Sequence, residues 1–127
     1  MSSIIICIDV SHLEQATNFY TQVFDCSVIE SHDTHNKIQF KEIEFYLAER
    51  KEGSIAIPNT SIERSYKRHW TPVHLDFKIT DSEKTVKKII KLGGSHEGTK
   101  TGDWGRFDFC SDPFGNGFCL SNLKSQH

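Results

Sequence analysis

Two segments of the chain repeat the same pattern at a fixed distance, and this repeat most constrains the fold. One apolar, β-branched run ends at Val10 and another ends at Ile79. A hydroxyl residue follows each run directly, with a glutamate three residues further on, in the segments 11–14 and 80–83. This spacing is typical of a capping box, which satisfies free N–H groups at a helix start. Because the two patterns are offset by 69 residues, we infer that the chain contains a duplicated unit.

Hydrophobic periodicity predicts the same element order, strand-helix-strand-strand-strand, in both halves. In the first half we expect these elements at residues 3–10, 11–25, 26–30, 38–40 and 42–48. In the second half we expect them at residues 73–79, 82–92, 94–98, 105–111 and 117–122. The polar stretch between the halves lacks core periodicity. We therefore predict a single domain with module one at 1–57, a linker at 58–71 and module two at 72–127.

Composition and charge argue against several classes of protein. The 127 residues include 15 basic and 17 acidic side chains and give a formal charge of −2. Beyond a short run at 64–69 there is no basic stripe, which disfavours nucleic acid as a partner. No apolar run approaches the roughly 20 residues that span a bilayer, so we expect no membrane partner. The four cysteines are too sparse for a disulfide scaffold, which favours free thiols and a cytoplasmic location.

Three segments resemble the vicinal oxygen chelate superfamily, which includes glyoxalase I, bleomycin and fosfomycin resistance proteins and extradiol dioxygenases. They are VSHLEQATNFY at 10–20, PVHLDFKITD at 72–81 and SDPFGNGFCL at 111–120. The resemblance covers nearly the whole chain. It implies an α+β fold of two βαβββ modules that form open half-barrel sheets, with the helices packed outside and a ligand in the concave mouth. It also implies a homodimer.

Strand alternation indicates which side chains would face that mouth. In the strand at 73–79, Leu75 and Phe77 would face the helix, so His74 and Asp76 would lie on the opposite side. Asp76 could pair there with a cation such as Lys78 or Arg106. The sequence leaves that choice open.

The resemblance further implies metal-ligand positions on the first and last strand of each module. In this chain those positions hold Ile5, Tyr46, His74 and Cys119. Only His74 matches the expected ligand, and Cys119 replaces the usual glutamate. Because a divalent ion normally needs three or more protein ligands, we favour no metal and no cofactor. The alternative is Zn, Ni, Mn or Fe held by His74 and Cys119, supplemented by Cys7 or Asp76.

Aromatic residues near the presumed mouth favour a planar or cationic small-molecule ligand. Trp104, beside Gly105, is the ring that we most expect to face a ligand, although many of the rings could instead fill the core. The candidate ligand-binding residues are Tyr46, His74, Asp76, Trp104, Arg106 and Cys119. His74 is also the candidate catalytic residue.

These features favour a small-molecule-binding protein of the glyoxalase and bleomycin resistance type that needs no metal. The alternative is a lyase, isomerase or dioxygenase-like enzyme with a non-standard metal site around His74. In a third possibility the module has lost its ligand, and side chains such as Tyr46 and Phe118 plug the mouth. Metal analysis of the purified protein would best separate the first two.

Overall fold

The structure is a computed structural model that describes residues 2–124. The chain divides into two compact units, and the boundary lies between Tyr66 and Lys67. Each unit contains one helix and one four-stranded sheet. The prediction of a single domain with its linker at 58–71 stays a prediction.

The first unit has the predicted strand-helix-strand-strand-strand order. Its elements are β1 (Ile6–Val10), α1 (Leu13–Val23), β2 (Ser27–Ser31), β3 (His35–Phe40) and β4 (Ile43–Glu49). The strands are arranged β1-β4-β3-β2, with β1 parallel to β4 and the other pairs antiparallel. The parallel pair is possible because α1 provides the crossover that parallel strands require.

The second unit repeats this arrangement. Its elements are β5 (Leu75–Lys78), α2 (Ser82–Lys91), β6 (Ser95–Gly102), β7 (Gly105–Ser111) and β8 (Gly117–Leu123). The order is β5-β8-β7-β6, and β5 is parallel to β8. Cys7 pairs with Tyr46 in the first sheet, and Asp76 pairs with Cys119 in the second. The predicted α+β fold of two βαβββ modules is confirmed.

Each helix buries its apolar stripe against its own sheet. In the first unit Phe19 and Tyr20 of α1 are buried, and the Tyr20 ring lies 5.8 Å from that of Phe45 on β4. In the second unit Ile89 of α2 is buried, as are Phe77 and Phe118, whose rings meet edge to face at 5.6 Å. The face of the second sheet that carries Phe77 is therefore the face that α2 covers.

The helix starts differ from the prediction. The N-cap of α1 is His12, whose side chain makes no capping hydrogen bond, while the Ser11 hydroxyl lies 3.1 Å from His12 Nδ1. The backbone N–H of Leu13 donates instead to Glu49 Oε2, at 2.8 Å. The capping box predicted at Ser11 is therefore wrong, because a carboxylate on the distant strand β4 takes its place.

The start of α2 also lies one residue later than the capping box predicts. Its N-cap is Asp81, whose carboxylate accepts from the N–H of Lys84 at 3.1 Å. An aspartate satisfies this free donor as well as a threonine does, so Thr80 is not needed as the cap. The two N-caps, His12 and Asp81, are still 69 residues apart, which supports the duplication.

Two strands are longer than periodicity predicts. β3 begins at His35 and β6 continues to Gly102, although both added stretches are polar. Each lies beside a neighbouring strand that supplies backbone hydrogen bonds, so pairing extends the strand where the side chains give no apolar alternation.

The segment between β4 and β5 contains neither a helix nor one of the named strands. Its first part is held to the first unit, because Arg64 Nε donates to Asp9 Oδ2 at 2.9 Å and the Tyr66 hydroxyl donates to the Arg50 carbonyl at 2.8 Å. Its second part is held to the second unit, where His69 Nε2 lies 3.1 Å from Asn116 Oδ1. Among the described residues, neither helix is long and apolar enough to cross a membrane.

Replacing Glu49 by alanine tests the long-range cap of α1. We expect Glu49→Ala to lower the free energy of unfolding by about 1 kcal/mol, because the N–H of Leu13 loses its acceptor. Glu49→Gln keeps a side-chain oxygen and should retain most of the stability. Urea unfolding monitored by circular dichroism measures both variants. Equal stability of wild type and Glu49→Ala would contradict this capping role.

Candidate functional site

The candidate site lies on the face of the second sheet opposite α2, which we call the Cys119 face. Asp76 on β5 pairs with Cys119 on β8, and Cys119 pairs in turn with Phe109 on β7. Because directly paired residues point to the same side of a sheet, these three side chains form one row. The row runs from a carboxylate at the sheet edge, through a thiol, to an aromatic ring.

Three polar side chains converge at the edge of this row. His74 Nε2 lies 3.2 Å from Asp76 Oδ1. The candidate ligand atoms of His74, Asp76 and Cys119 all lie within 4.8 Å of one another. Cys119 is buried, whereas the side chains of His74 and Asp76 are 32% and 46% exposed. A thiol therefore lies beneath an imidazole and a carboxylate that solvent can reach.

The Cys119 thiol stays protonated at neutral pH. Its burial, followed by the charge of Asp76 and a hydrogen bond to that carboxylate, raises the pKa of Cys119 to about 11. The thiol donates this hydrogen bond, which is the state that a neighbouring carboxylate favours. Because the thiolate is the reactive form, Cys119 is not an activated nucleophile here.

Trp70 forms an aromatic wall beside these polar groups. Its ring centre lies 4.6 Å from that of His74 and 6.3 Å from that of Phe109. The indole packs directly over Gly117, at the start of β8, where a Cβ atom would overlap the ring. Trp70 nevertheless remains 45% exposed, so its ring is available to a ligand.

An ion pair holds the segment that carries Trp70. The guanidinium of Arg68 donates to Glu97 on β6, and its carbon lies 5.6 Å from the centre of the Trp70 ring. The hydrogen bond from Arg68 lowers the pKa of Glu97, partial burial opposes this, and a bond from Ser95 adds to it. Arg68 therefore fixes the position of Trp70 through both a cation–π contact and an ion pair.

Trp104 and Arg106 lie away from this cluster. Trp104, at the β6–β7 turn, packs over Gly102, with its ring 4.8 Å from that of Phe107. Arg106 lies on the α2 side of the sheet, where its Nε donates to Asp108 Oδ2 at 2.9 Å. Their roles in ligand binding stay predictions. The structure brings His74, Asp76 and Cys119 together and does not bring Arg106 to them.

Asp108 is a fully buried carboxylate on the α2 side of the sheet. Burial alone would raise its pKa, but hydrogen bonds from Arg106, Thr99 and His96 outweigh burial and lower it. These groups bond Asp108 at 2.8–2.9 Å. The folded state therefore stabilises the ionised carboxylate, which ties the edge strand β6 to β7.

Acidification and Asp108→Asn test this network. A lowered folded-state pKa contributes stability above the ordinary aspartate pKa of about 3.9, and this stability is lost as the pH falls through the folded pKa. We expect Asp108→Asn to cost about 2 kcal/mol at neutral pH and to make stability less pH-dependent below about pH 4. Urea unfolding across this range measures both effects. Asp103→Asn, in the exposed β6–β7 turn, is the control, and parallel acid profiles for wild type and Asp108→Asn would contradict the prediction.

The equivalent row of the first unit has different chemistry. Tyr46 pairs with Cys7 on one side and with Lys37 on the other. The Lys37 ammonium lies 5.7 Å from the Tyr46 ring centre and 3.0 Å from Glu44, and its bond to Glu44 raises the pKa of Lys37 to about 12. Ile5, which is exposed, precedes β1 and offers no ligand atom. Within residues 2–124, His74, Asp76 and Cys119 form the one group arranged to hold a metal ion.

Trp70 and Gly117 matter more to this site than the sequence indicates. Trp70 lies in a segment without periodicity, so its position could not be deduced from alternation. A glycine inside a strand often marks the close approach of another group, and Gly117 is such a position. That signal could have indicated a ring packed on β8.

These donors fit a metal ion of borderline softness. With Zn–S and Zn–N distances of about 2.3 and 2.0 Å, ligand atoms of a tetrahedral ion are roughly 3.5 Å apart. The His74–Asp76 separation of 3.2 Å is close to this, and the limit of 4.8 Å for the set requires only a small movement. One nitrogen, one carboxylate oxygen and one sulfur leave a fourth position open.

Comparison with known proteins identifies the family. Residues 5–121 match the family model described as a glyoxalase-like domain. The chain therefore belongs to the glyoxalase-like domain family, and the resemblance to the vicinal oxygen chelate superfamily is confirmed. No curated protein sequence matches the chain.

Solved structures with the same fold include fosfomycin resistance proteins. FosX from Listeria monocytogenes has 17% identity and a TM-score of 0.73, with 98% of this chain and 94% of that chain covered. FosX from Mesorhizobium loti has 18% identity, a TM-score of 0.68, and coverages of 97% and 92%. A hypothetical protein, SA1046 from S. aureus, has 15% identity, a TM-score of 0.70, and coverages of 97% and 98%. At these identities the likeness shows the fold.

Proposed function

We propose that this protein binds a small organic molecule on the Cys119 face, as proteins of the glyoxalase and bleomycin resistance type do. The supporting observation is the meeting of a half-exposed indole, Trp70, with the polar groups of His74 and Asp76. An aromatic surface with a few fixed polar groups is the usual composition of a small-molecule site. The fold likeness to fosfomycin resistance proteins is consistent with this class of function.

The ligand we propose is planar and carries a cationic group. A planar ring would stack on the exposed part of Trp70, because the inner face of the indole is occupied by Gly117. The ammonium group would lie against the Asp76 carboxylate, which is 46% exposed beside His74. In this first candidate these side chains contact the ligand directly, so a chelator leaves its binding unchanged.

Three aromatic probes of similar size test this proposal: benzylammonium, benzyl alcohol and benzoate. In a Trp104→Phe background Trp70 is the remaining tryptophan, so its fluorescence reports the site. In the presence of EDTA we expect saturable changes that are strongest for benzylammonium. Asp76→Asn should weaken benzylammonium binding about fivefold, the equivalent of 1 kcal/mol for a partly exposed charge pair, and leave benzyl alcohol unchanged.

Two glycine variants provide the matched control. Gly117→Ala should displace Trp70 and weaken all three probes, because the added methyl group occupies the place of the ring. Gly98→Ala, on β6 of the same sheet, meets open space and should leave binding unchanged. The absence of saturable binding for every probe, or equal effects of the two glycine variants, would overturn the proposed site.

A second candidate is a lyase, isomerase or dioxygenase-like enzyme with a non-standard metal site around His74. The observation that favours it is Asp76, a third donor beside His74 and Cys119 where the family positions alone supply two. Structures of FosX from Listeria monocytogenes are described as complexes with Mn(II), one of them with sulfate. In this chain the metal would polarise a bound oxygen of the substrate, and His74 or Asp76 would accept a proton.

The two candidates differ in their dependence on metal. The enzyme predicts turnover that appears when chelator-treated protein is reloaded with a divalent metal and disappears in His74→Ala. Fosfomycin is a suitable first substrate, since the fold is shared with proteins that confer resistance to it. Its consumption can be followed by phosphorus NMR. Binding of the aromatic probes with no metal-dependent consumption favours the first candidate.

We also propose that the protein is a homodimer in the cytoplasm. The edge strand β1 is preceded by Ile4 and Ile5, which are exposed apolar side chains that a second copy could cover. The four cysteines are free, as expected in a reducing compartment. Sedimentation equilibrium should give twice the chain mass of 14.6 kDa, and Ile5→Lys should shift the protein towards the monomer. A monomer at all concentrations would contradict this assembly.

A further inference from the structure

We propose that His74, Asp76 and Cys119 form a zinc-type ion site that the second unit builds alone and that selects zinc or cobalt over manganese. This inference goes beyond the proposed small-molecule binding, because it concerns the identity of the ion and of its ligands. It adds Asp76 as a ligand, although Asp76 lies outside the metal-ligand positions that the family resemblance implies.

The backbone register creates the three-donor set. Asp76 and Cys119 are directly paired on neighbouring parallel strands, so their side chains leave the sheet side by side. His74 precedes Asp76 by two residues, and its Nε2 reaches Asp76 Oδ1 at 3.2 Å. With all the candidate ligand atoms within 4.8 Å of one another, an ion can replace the present hydrogen bonds without a change of register.

The donor types decide which ion the site prefers. Zinc and cobalt accept imidazole, carboxylate and thiolate together in a tetrahedral site, whereas manganese favours oxygen ligands in an octahedral one. Cys119 would bind as a thiolate, and its proton would leave to solvent as the metal–sulfur bond forms. A sulfur in place of a carboxylate therefore shifts the preference away from manganese, even though fold neighbours are described with Mn(II).

The contrast between the two units limits the site to one of them. The positions of the first unit that correspond to His74 and Cys119 hold Ile5 and Tyr46. Isoleucine has no ligand atom, and the Tyr46 ring is already surrounded by Lys37 and His35. The set of three protein ligands leaves the fourth tetrahedral position for water or a ligand, which is typical of a reactive rather than a structural zinc site.

Cobalt spectroscopy tests the proposal without a substrate. Chelator-treated protein titrated with Co(II) should reach saturation at one ion per chain. We expect a near-ultraviolet thiolate-to-cobalt charge-transfer band and intense tetrahedral bands in the visible region. Zn(II) should abolish both, because zinc binds more tightly than cobalt, and Mn(II) in excess should leave them unchanged.

Matched variants assign the ligands. Cys119→Ser should abolish the charge-transfer band, while Cys7→Ser, at the equivalent row of the first unit and exposed, should retain it. Asp76→Asn and His74→Ala should each weaken Zn(II) binding at least about tenfold, measured by competition with a chromophoric chelator. Circular dichroism confirms that each variant is folded, and if Cys119→Ser is not, Cys119→Ala replaces it.

The results separate this inference from the proposed function. A cobalt spectrum without the charge-transfer band, a band retained in Cys119→Ser, or displacement of Co(II) by Mn(II) would overturn the zinc-type site. Binding of the aromatic probes in EDTA would still support the small-molecule site. Conversely, Zn(II) binding with no probe binding would retain the ion site and remove the proposed ligand class.

Discussion

The parallel pairing of an edge strand with the neighbouring inner strand is the constraint on which the site depends. In both units the first and last strands are joined through the helix crossover, and their register is equivalent: Cys7 with Tyr46, and Asp76 with Cys119. Because the side-chain period of a strand is two, a slip of one residue would turn Cys119 towards α2. The apolar contact of Phe77 with Phe118 under α2 opposes such a slip. Core packing therefore fixes the geometry of the polar cluster.

The same sheet separates two kinds of polar chemistry on its two faces. On the α2 side, Asp108 is buried and fully bonded to Arg106, Thr99 and His96, so its charge is neutralised within the fold. On the Cys119 face, Asp76 remains half-exposed and bonds His74 and a buried thiol. The first carboxylate stabilises the sheet, and the second remains accessible to a ligand or an ion. Burial and partners distinguish their roles, since both are aspartates on strands.

Sequence reasoning succeeded where the information is periodic and was less complete where contacts are distant. The strand-helix order and the face that carries His74 and Asp76 follow from alternation alone. The cap of α1 could not be predicted, because Glu49 lies 36 residues from Leu13 and reaches it through the tertiary fold. Trp70 belongs to a segment without periodicity, so its contact with His74 depends on packing over Gly117.

The divergence of the two units explains how a duplicated fold can acquire one specialised face. In the first unit the row contains Tyr46 and Lys37, and the ammonium is already paired with Glu30 and Glu44. In the second unit the equivalent row contains Asp76 and Cys119, which have His74 as a third polar neighbour. The backbone positions correspond, so the difference lies in side-chain chemistry alone. A charge-saturated row stabilises its own sheet, whereas a row with an accessible carboxylate, imidazole and thiol retains donors for an additional ligand.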